Sequence, residues 1–303
     1  MADKVMNPVY KGLEEYVEER RLPLIAKAVL GGDTAKLFNL QTGVKTSAAL
    51  NLLSTDVKFG DGSTCGWDPT GTQEMSQRLI ETGQIKVNMP YCEKDMLKYW
   101  TQYQVRIAAG DKELPFEEYF ISEVLKDVKA KLEKAIFAGD TDSNDVNLNR
   151  FDGLIKILGA ENTTVGFTTG ASVYESVIAA YMAIPEEALD GATILIGADD
   201  FRSFVQGMVE KNLFHYDPAR PVDMVLIPGT NVAVRKANGL NGTHKLIAGQ
   251  LDKNFFYGCD MVNDEEKFEF WYSKDNREFR LVIEFNAGVQ VAFPDMVVMG
   301  DTQ

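Results

Sequence analysis

QIKVNMPY, residues 84–91, and PFEEYFISEVLKDVKAKLEKAIFAG, residues 115–139, run in two different rhythms. In the longer stretch Pro115 suits a first helical position, where a missing N–H is no loss, and Gly139 follows the last turn, where a left-handed stop is easiest. Between them Phe116, Phe120, Val124, Val128, Leu132 and Ile136 recur every four residues, and Ile121, Leu125 and Ala135 widen the stripe. The opposite face sets Asp127 with Lys131 and Lys129 with Glu133, opposite charges one turn apart. At the usual rise per residue this rod is about 36 Å long, the width of a compact domain. The spacing predicts a single spine helix over 115–138.

The shorter stretch alternates. Ile85, Val87, Met89 and Tyr91 are interleaved with Gln84, Lys86, Asn88 and Pro90, a strand with one dry and one wet face. Upstream, Leu50, Leu52, Val57 and Phe59 make a second strand-like segment, and Gly60-Asp61-Gly62, Gly66, Pro69 and Gly71 between the two are turn chemistry. Residues 46–91 therefore read as a β-hairpin with a long polar tip. A lone hairpin is marginal in water, so its apolar face needs cover, from other copies of the chain or from its own domain.

Outward from this region the elements change character. Residues 8–30 suggest a helical arm, with Leu13, Tyr16, Val17, Leu24 and Ile25 among charged residues and Pro23 interrupting. Glu93 to Ile107 reads as a further helix, and residues 139–150 as a polar loop. Ser172-Val173-Tyr174-Glu175 is a capping box opening a helix that Pro185 closes, followed by a strand from Thr193 to Gly197 and a helix from Asp199 to Asn212. Strands are then expected at Met224 to Ile227, Asn231 to Arg235, Lys245 to Ala248, Phe255 to Tyr257, Phe268 to Tyr272, Phe279 to Phe285 and Val289 to Phe293. The order implies an α+β fold of two interwoven subdomains, the last strands returning to the spine helix.

Composition narrows the function classes. The chain has 303 residues, enough for one large or two modest cores. No apolar run approaches the roughly 20 residues of a membrane span, and Met1 to Asn7 lacks a secretory pattern, so synthesis and folding in the cytosol are expected. Cys65, Cys92 and Cys259 match neither a disulfide framework nor a zinc ligand set and read as reduced, packed thiols. A net charge of -14 and a pI near 4.7 argue against a protein that grips nucleic acid, because lysine and arginine drive phosphate binding.

Candidate chemistry is sparse. Asp140, Asp142 and Asn144 begin a calcium-loop pattern, but Asp145 replaces its turn glycine and Phe151 its bidentate glutamate, which favours a solvated acidic loop. His215 and His244 lie in no hydrolase context, and no phosphate-cradling glycine loop ends in Lys-Ser or Lys-Thr. Asp199 and Asp200, after a strand, would be the carboxylates of a cytosolic α/β enzyme, although Asp199 is also placed to cap its helix. The expectation is no catalytic, cofactor or metal site.

Several phrases, in their order, resemble the major capsid proteins of tailed bacteriophages, the Hong Kong 97-type fold, over nearly the whole chain. They are Leu132-Glu133-Lys134-Ala135-Ile136-Phe137-Ala138-Gly139-Asp140 with Phe151-Asp152-Gly153-Leu154, then Ile227-Pro228-Gly229-Thr230-Asn231-Val232, Gly239-Leu240-Asn241-Gly242-Thr243, and Asn254-Phe255-Phe256-Tyr257-Gly258-Cys259-Asp260. The resemblance implies an N-terminal arm at 1–45, an extended loop at 46–91, a peripheral domain at 92–169 with the spine at 115–138, an axial domain at 170–250 and returning strands at 251–303. Asn212 to Pro221, bent by Pro218 and Pro221, becomes a loop at the capsomer axis. It further implies a virion subunit that assembles with itself into pentamers and hexamers in the host cytoplasm. Its partners would be scaffolding, portal and head decoration or completion proteins, around enclosed double-stranded DNA, without a membrane. No long scaffolding domain precedes the arm, so a separate scaffold is expected if one is needed. A shell of the same fold holding protein cargo, an encapsulin-like nanocompartment, is the nearest alternative. Some capsids of this fold join a lysine to an asparagine across subunits; Lys58, Lys86 and Asn286 are the residues here that would be tested for it.

Overall fold

The computed structural model describes residues 16–18, 20, 24, 27–30, 32–63, 65, 67, 71–108, 116–213, 223–260 and 267–303. Most of the arm, the Pro115 start of the spine helix, and the axial loop with His215, Pro218 and Pro221 lie outside the described residues. Strands β1 (Asn39–Thr42), β2 (Ser47–Asp56), β3 (Thr72–Glu81) and β4 (Gly83–Cys92) lead into helices α1 (Glu93–Ala108) and α2 (Phe116–Ala138). There follow α3 (Leu154–Ala160), α4 (Val173–Ala183), α5 (Glu186–Leu189), β5 (Thr193–Ile196), α6 (Ala198–Glu210), β6 (Met224–Leu226), β7 (Ala233–Lys236) and β8 (Lys245–Gly249). The chain ends with α7 (Leu251–Asn254), β9 (Phe255–Cys259), β10 (Lys267–Ser273), β11 (Glu278–Val291) and β12 (Val298–Asp301).

One sheet runs β1-β9-β11-β10, with β4 on the other edge of β11, paired antiparallel from Cys92 opposite Glu278 to Gly83 opposite Ala287. The spine helix α2 covers this sheet. Its stripe, Phe120, Ile121, Val124, Leu125, Val128, Leu132, Ala135 and Ile136, is buried, and Phe120 meets Tyr91 of β4 edge-on at 4.9 Å between ring centroids. The exposed face carries the expected Asp127–Lys131 pair at 2.8 Å. Glu133 departs from expectation. Instead of pairing with Lys129 in solvent it is buried, and its Oε1 accepts the Thr34 amide at 2.9 Å.

The pairing within residues 46–91 also differs from the sequence reading. β2 pairs with β3, Ser47 opposite Glu81 through Asp56 opposite Thr72, and not with the alternating segment. That segment is β4, and its dry face, Ile85, Val87, Met89 and Tyr91, packs against the core under α2. The sequence TQEMSQRLIE of β3 has too few apolar residues to read as a strand, since neither of its faces is fully buried. The two strands expected at 279–285 and 289–293 are one, β11. Gly288 lies within it, where the Glu81 carbonyl approaches; a Cβ there would lie 2.1 Å from that oxygen.

A second sheet runs β12-β8-β5-β7-β6, with α4 and α6 packed on it through Val177, Ala180, Phe204 and Met208. The capping box forms: the Glu175 amide donates to Ser172 Oγ at 3.3 Å, and Glu175 Oε2 accepts from the Ala171 amide at 3.0 Å. β12 does not return to the first sheet with β9, β10 and β11; it pairs with β8, Val298 opposite Ala248. The turn Asn238–Leu240 ties the two halves, for Gly239 sits so close to α2 that a Cβ would lie 2.1 Å from the Glu133 carbonyl oxygen.

Because Ile136 is fully enclosed, Ile136→Ala leaves a cavity that this contact layer cannot collapse into, at a cost of about 2–5 kcal/mol. Lys126→Ala, on the exposed face of the same helix, changes stability by less than about 0.5 kcal/mol. Urea unfolding midpoints of the two variants check the contrast.

Candidate assembly surface

The ribbon β2–β3 covers one face, at one end. Leu50 and Ile80 are buried with Val44 in a small cluster of their own, and the Arg78 guanidinium pairs with the Glu161 carboxylate. The Gln290 side-chain amide donates to the Leu79 carbonyl at 2.7 Å, and the Thr82 amide to the Thr46 carbonyl at 2.9 Å. These contacts fix the root. On the opposite face the register sets Leu53 across from Met75 and Ala49 across from Leu79, with Gln77 donating to Asn51 at 2.7 Å between the two pairs. There Leu53 and Leu79 are each 54% exposed and Met75 81%. Beyond the ribbon Val57, Phe59 and Trp67 are exposed as well. Among the described residues nothing covers this row of aligned apolar side chains, and Met75 and Leu79 were missed in the sequence. The available signal was Gly71 and Gly83, which bracket the strand.

A groove of about 670 Å³ runs between β4 and α2, floored by Val87, Met89, Tyr91, Val124 and Val128 and rimmed by charged residues. Burial pushes the Tyr91 phenol up to about 12, and its hydroxyl lies 3.4 Å from Met89 Sδ. Tyr91 is therefore a neutral, apolar wall of the groove.

The residues singled out for chemistry fall into structural roles. The loop with Asp140 and Asp142 encloses a cation, but it is the protein's own: Lys156 Nζ lies 2.6 Å from Asp140, 2.8 Å from Asp142 and 2.9 Å from Asp152. Asn144 is not in that set. Among the described residues no group of three or more His, Cys, Asp or Glu is arranged to hold a metal ion. Asp199 does not cap α6; the N-cap is Gly197, and Asn241 Oδ1 accepts the Asp199 amide at 3.4 Å while the Asp199 carboxylate pairs with Arg202 at 3.0 Å. Asp200 is buried, accepting from Thr302 Oγ1 at 2.8 Å, with His244 Nδ1 3.2 Å away. It joins the first turn of α6, the His244 turn and the chain end. The two carboxylates thus form no shared site. Lys58 pairs with Asp56 at 3.5 Å and Lys86 with Glu284 at 2.8 Å, while the buried Asn286 donates its amide to the Lys45 carbonyl at 3.1 Å. Of the cysteines only Cys259 is packed; Cys65 and Cys92 are exposed. Among the described residues no helix is long and apolar enough to cross a membrane.

The comparisons with known proteins bear on the fold. No family model matches the sequence, and no curated protein resembles it. Solved structures do. The satellite phage P4 procapsid including the size determination protein superposes with a TM-score of 0.61 at 12% identity, covering 93% of this chain and 92% of that one. The capsid of an empty GTA particle gives 0.55 at 12%, covering 90% and 89%. A virus-like particle from Pyrococcus furiosus gives 0.52 at 10%, covering 92% and 97%. The chain has an α+β fold of the Hong Kong 97 type, that of phage major capsid proteins, over most of its length.

The lysine cage makes a pH prediction. Lys156 and the Asp142 amide hold Asp140 below the ordinary carboxylate range; for Asp152 burial acts upward but is outweighed by Thr141 and Lys156. A carboxylate depressed in the folded state stabilises it above the unfolded value of about 3.9, and that contribution is lost as pH falls through the lower folded value. Lys156→Met weakens this dependence. Urea midpoints at about pH 7 and about pH 3 should differ less in the variant than in the wild type, with the variant the weaker at neutral pH.

Proposed function

We propose that this chain is the repeating subunit of a protein shell, a major capsid protein whose copies form the pentamers and hexamers of an icosahedral phage head around double-stranded DNA. One observation carries the reading: Leu53, Met75 and Leu79 stand aligned and exposed on a ribbon anchored only at its root, within a fold that capsid proteins share. Apolar surface in such a row is normally a contact surface. Repeated around symmetry axes, one moderate contact per subunit sums to a closed and stable container.

In this reading residues 1–45 form the arm, and the ribbon within 46–91 is the extended loop that lies over a neighbouring copy. Residues 92–169 and 251–297 build the peripheral domain around α2, and 170–250 together with β12 the axial domain. The partners are other copies first, then scaffolding, portal and decoration or completion proteins, in a virion assembled in the host cytoplasm. The net charge of -14 suits a wall that encloses DNA without gripping its bases or phosphates. The role is structural, without catalysis. A compartment filled with protein cargo is the second reading, favoured by the likeness to the Pyrococcus particle. Nucleic acid released from purified particles supports the head; particles holding only protein support the compartment.

Leu53→Asp combined with Met75→Asp should leave the far-UV circular dichroism and urea midpoint of the subunit unchanged, because both side chains are exposed. Large particles should vanish from sedimentation profiles. Unchanged assembly would remove the ribbon from the interface.

A further inference from the structure

Glu133 is 5% exposed, a burial that glutamate tolerates when both its oxygens are matched. Only one is. The Thr34 amide donates to Oε1 at 2.9 Å, while among the described residues no donor reaches Oε2. Oε2 rests instead on the backbone of Gly32, where a Cβ would lie 2.4 Å away. Behind the carboxyl, the Asn238–Leu240 turn closes on the Glu133 main chain and brings no ionisable side chain. The charged groups that face it are Asp33 and Lys36, both exposed on the turn that carries Thr34. Such a site is less costly to a neutral carboxyl. For a carboxylate it leaves one full acceptor dry, which is costly in a medium of low dielectric.

We propose that Glu133 is a proton-operated latch between the Gly32–Leu37 turn and the spine helix: with the carboxyl neutral the turn is seated, and with it ionised the turn lifts to let water reach Oε2. Gly32 and Thr34 are the groups that touch the two oxygens, so the turn takes up the consequence of the charge. β1 begins just after it, at Asn39, so the lifted stretch is bounded on that side by the sheet. Burial moves this carboxyl upward, the Thr34 hydrogen bonds oppose it, and Asp33 adds to the rise. A folded state that holds its proton to higher pH than the unfolded chain loses stability as pH rises through that window. The latch therefore closes on acidification, opposite in sign to the Lys156 cage. Neither step depends on the shell reading, because both take place within one subunit.

The test is amide hydrogen exchange by mass spectrometry on the full-length, unassembled chain, following peptides that span residues 32–38. Protection, corrected for intrinsic exchange, should be lost in the wild type as pH rises above the ordinary glutamate value of about 4.3. In Glu133→Gln it should persist throughout, since the amide keeps an acceptor for Thr34 and cannot ionise. A flat wild-type profile, or a Glu133→Gln profile that follows the wild type, overturns the latch. Gly32→Ala gives an independent reading: its Cβ would lie 2.4 Å from the seated Oε2, so the carboxyl tip or the turn must shift and the pH response of protection should change while the far-UV spectrum is kept. A Gly32→Ala protein with the wild-type pH response would also overturn it.

Discussion

A two-stranded ribbon has two faces, and the described residues of this chain cover one of them, at one end. Leu50 and Ile80 are enclosed, whereas Leu53 and Met75, a few residues further along the same strands, are in solvent. Two strands cannot bury such a row between themselves, and folding the ribbon back onto its own body is opposed by the Arg78–Glu161 pair and the Gln290 bond that fix its angle at the root. The rest of the molecule is built as a stiff base for that ribbon.

Stiffness comes from the spine helix. Its apolar stripe meets the first sheet through the Tyr91–Phe120 contact, and its last turns take the Asn238–Leu240 turn so closely that only glycine fits at 239. Two sheets are thus tied through one rod, whose core also takes in Leu195 and Ile247 of the second sheet. Close packing of this kind transmits displacement instead of absorbing it. The buried carboxyl of Glu133 lies at that junction, where the N-terminal turn, the rod and the second half of the chain meet.

Elements with their own strong periodicity were legible in the sequence: the spine helix, the helix after β4, the capping box and most late strands. What escaped was decided by tertiary pairing. β3 is polar enough to pass for a loop because it is exposed on most of its length, and only its register with β2 makes it a strand. The two late strands were not joined in the reading, and sequence does not show the Glu81 carbonyl lying against Gly288 between them. Glu133 was read as a surface charge from its spacing to Lys129, and only the fold brings Thr34 to it. Asp199 had the right chemistry for a cap but sits two positions past the N-cap Gly197, and the contact comes from Asn241. The exposed row on the ribbon was half visible: Leu53 lay in a strand-like segment, whereas Met75 and Leu79 gain meaning only opposite their cross-strand neighbours.

β11 is fourteen residues long and is hydrogen-bonded to β10 and β4 along its first half and to β9 along its second. The ribbon joins it sideways, through Gln290 and through the backbone of Glu81 against Gly288. A tug on the ribbon along its axis therefore loads many ladder bonds at once, in shear, and none has to open singly as in a zipper. The strand behaves as a tie bar, and the mechanical weak point moves outward to whatever the ribbon holds.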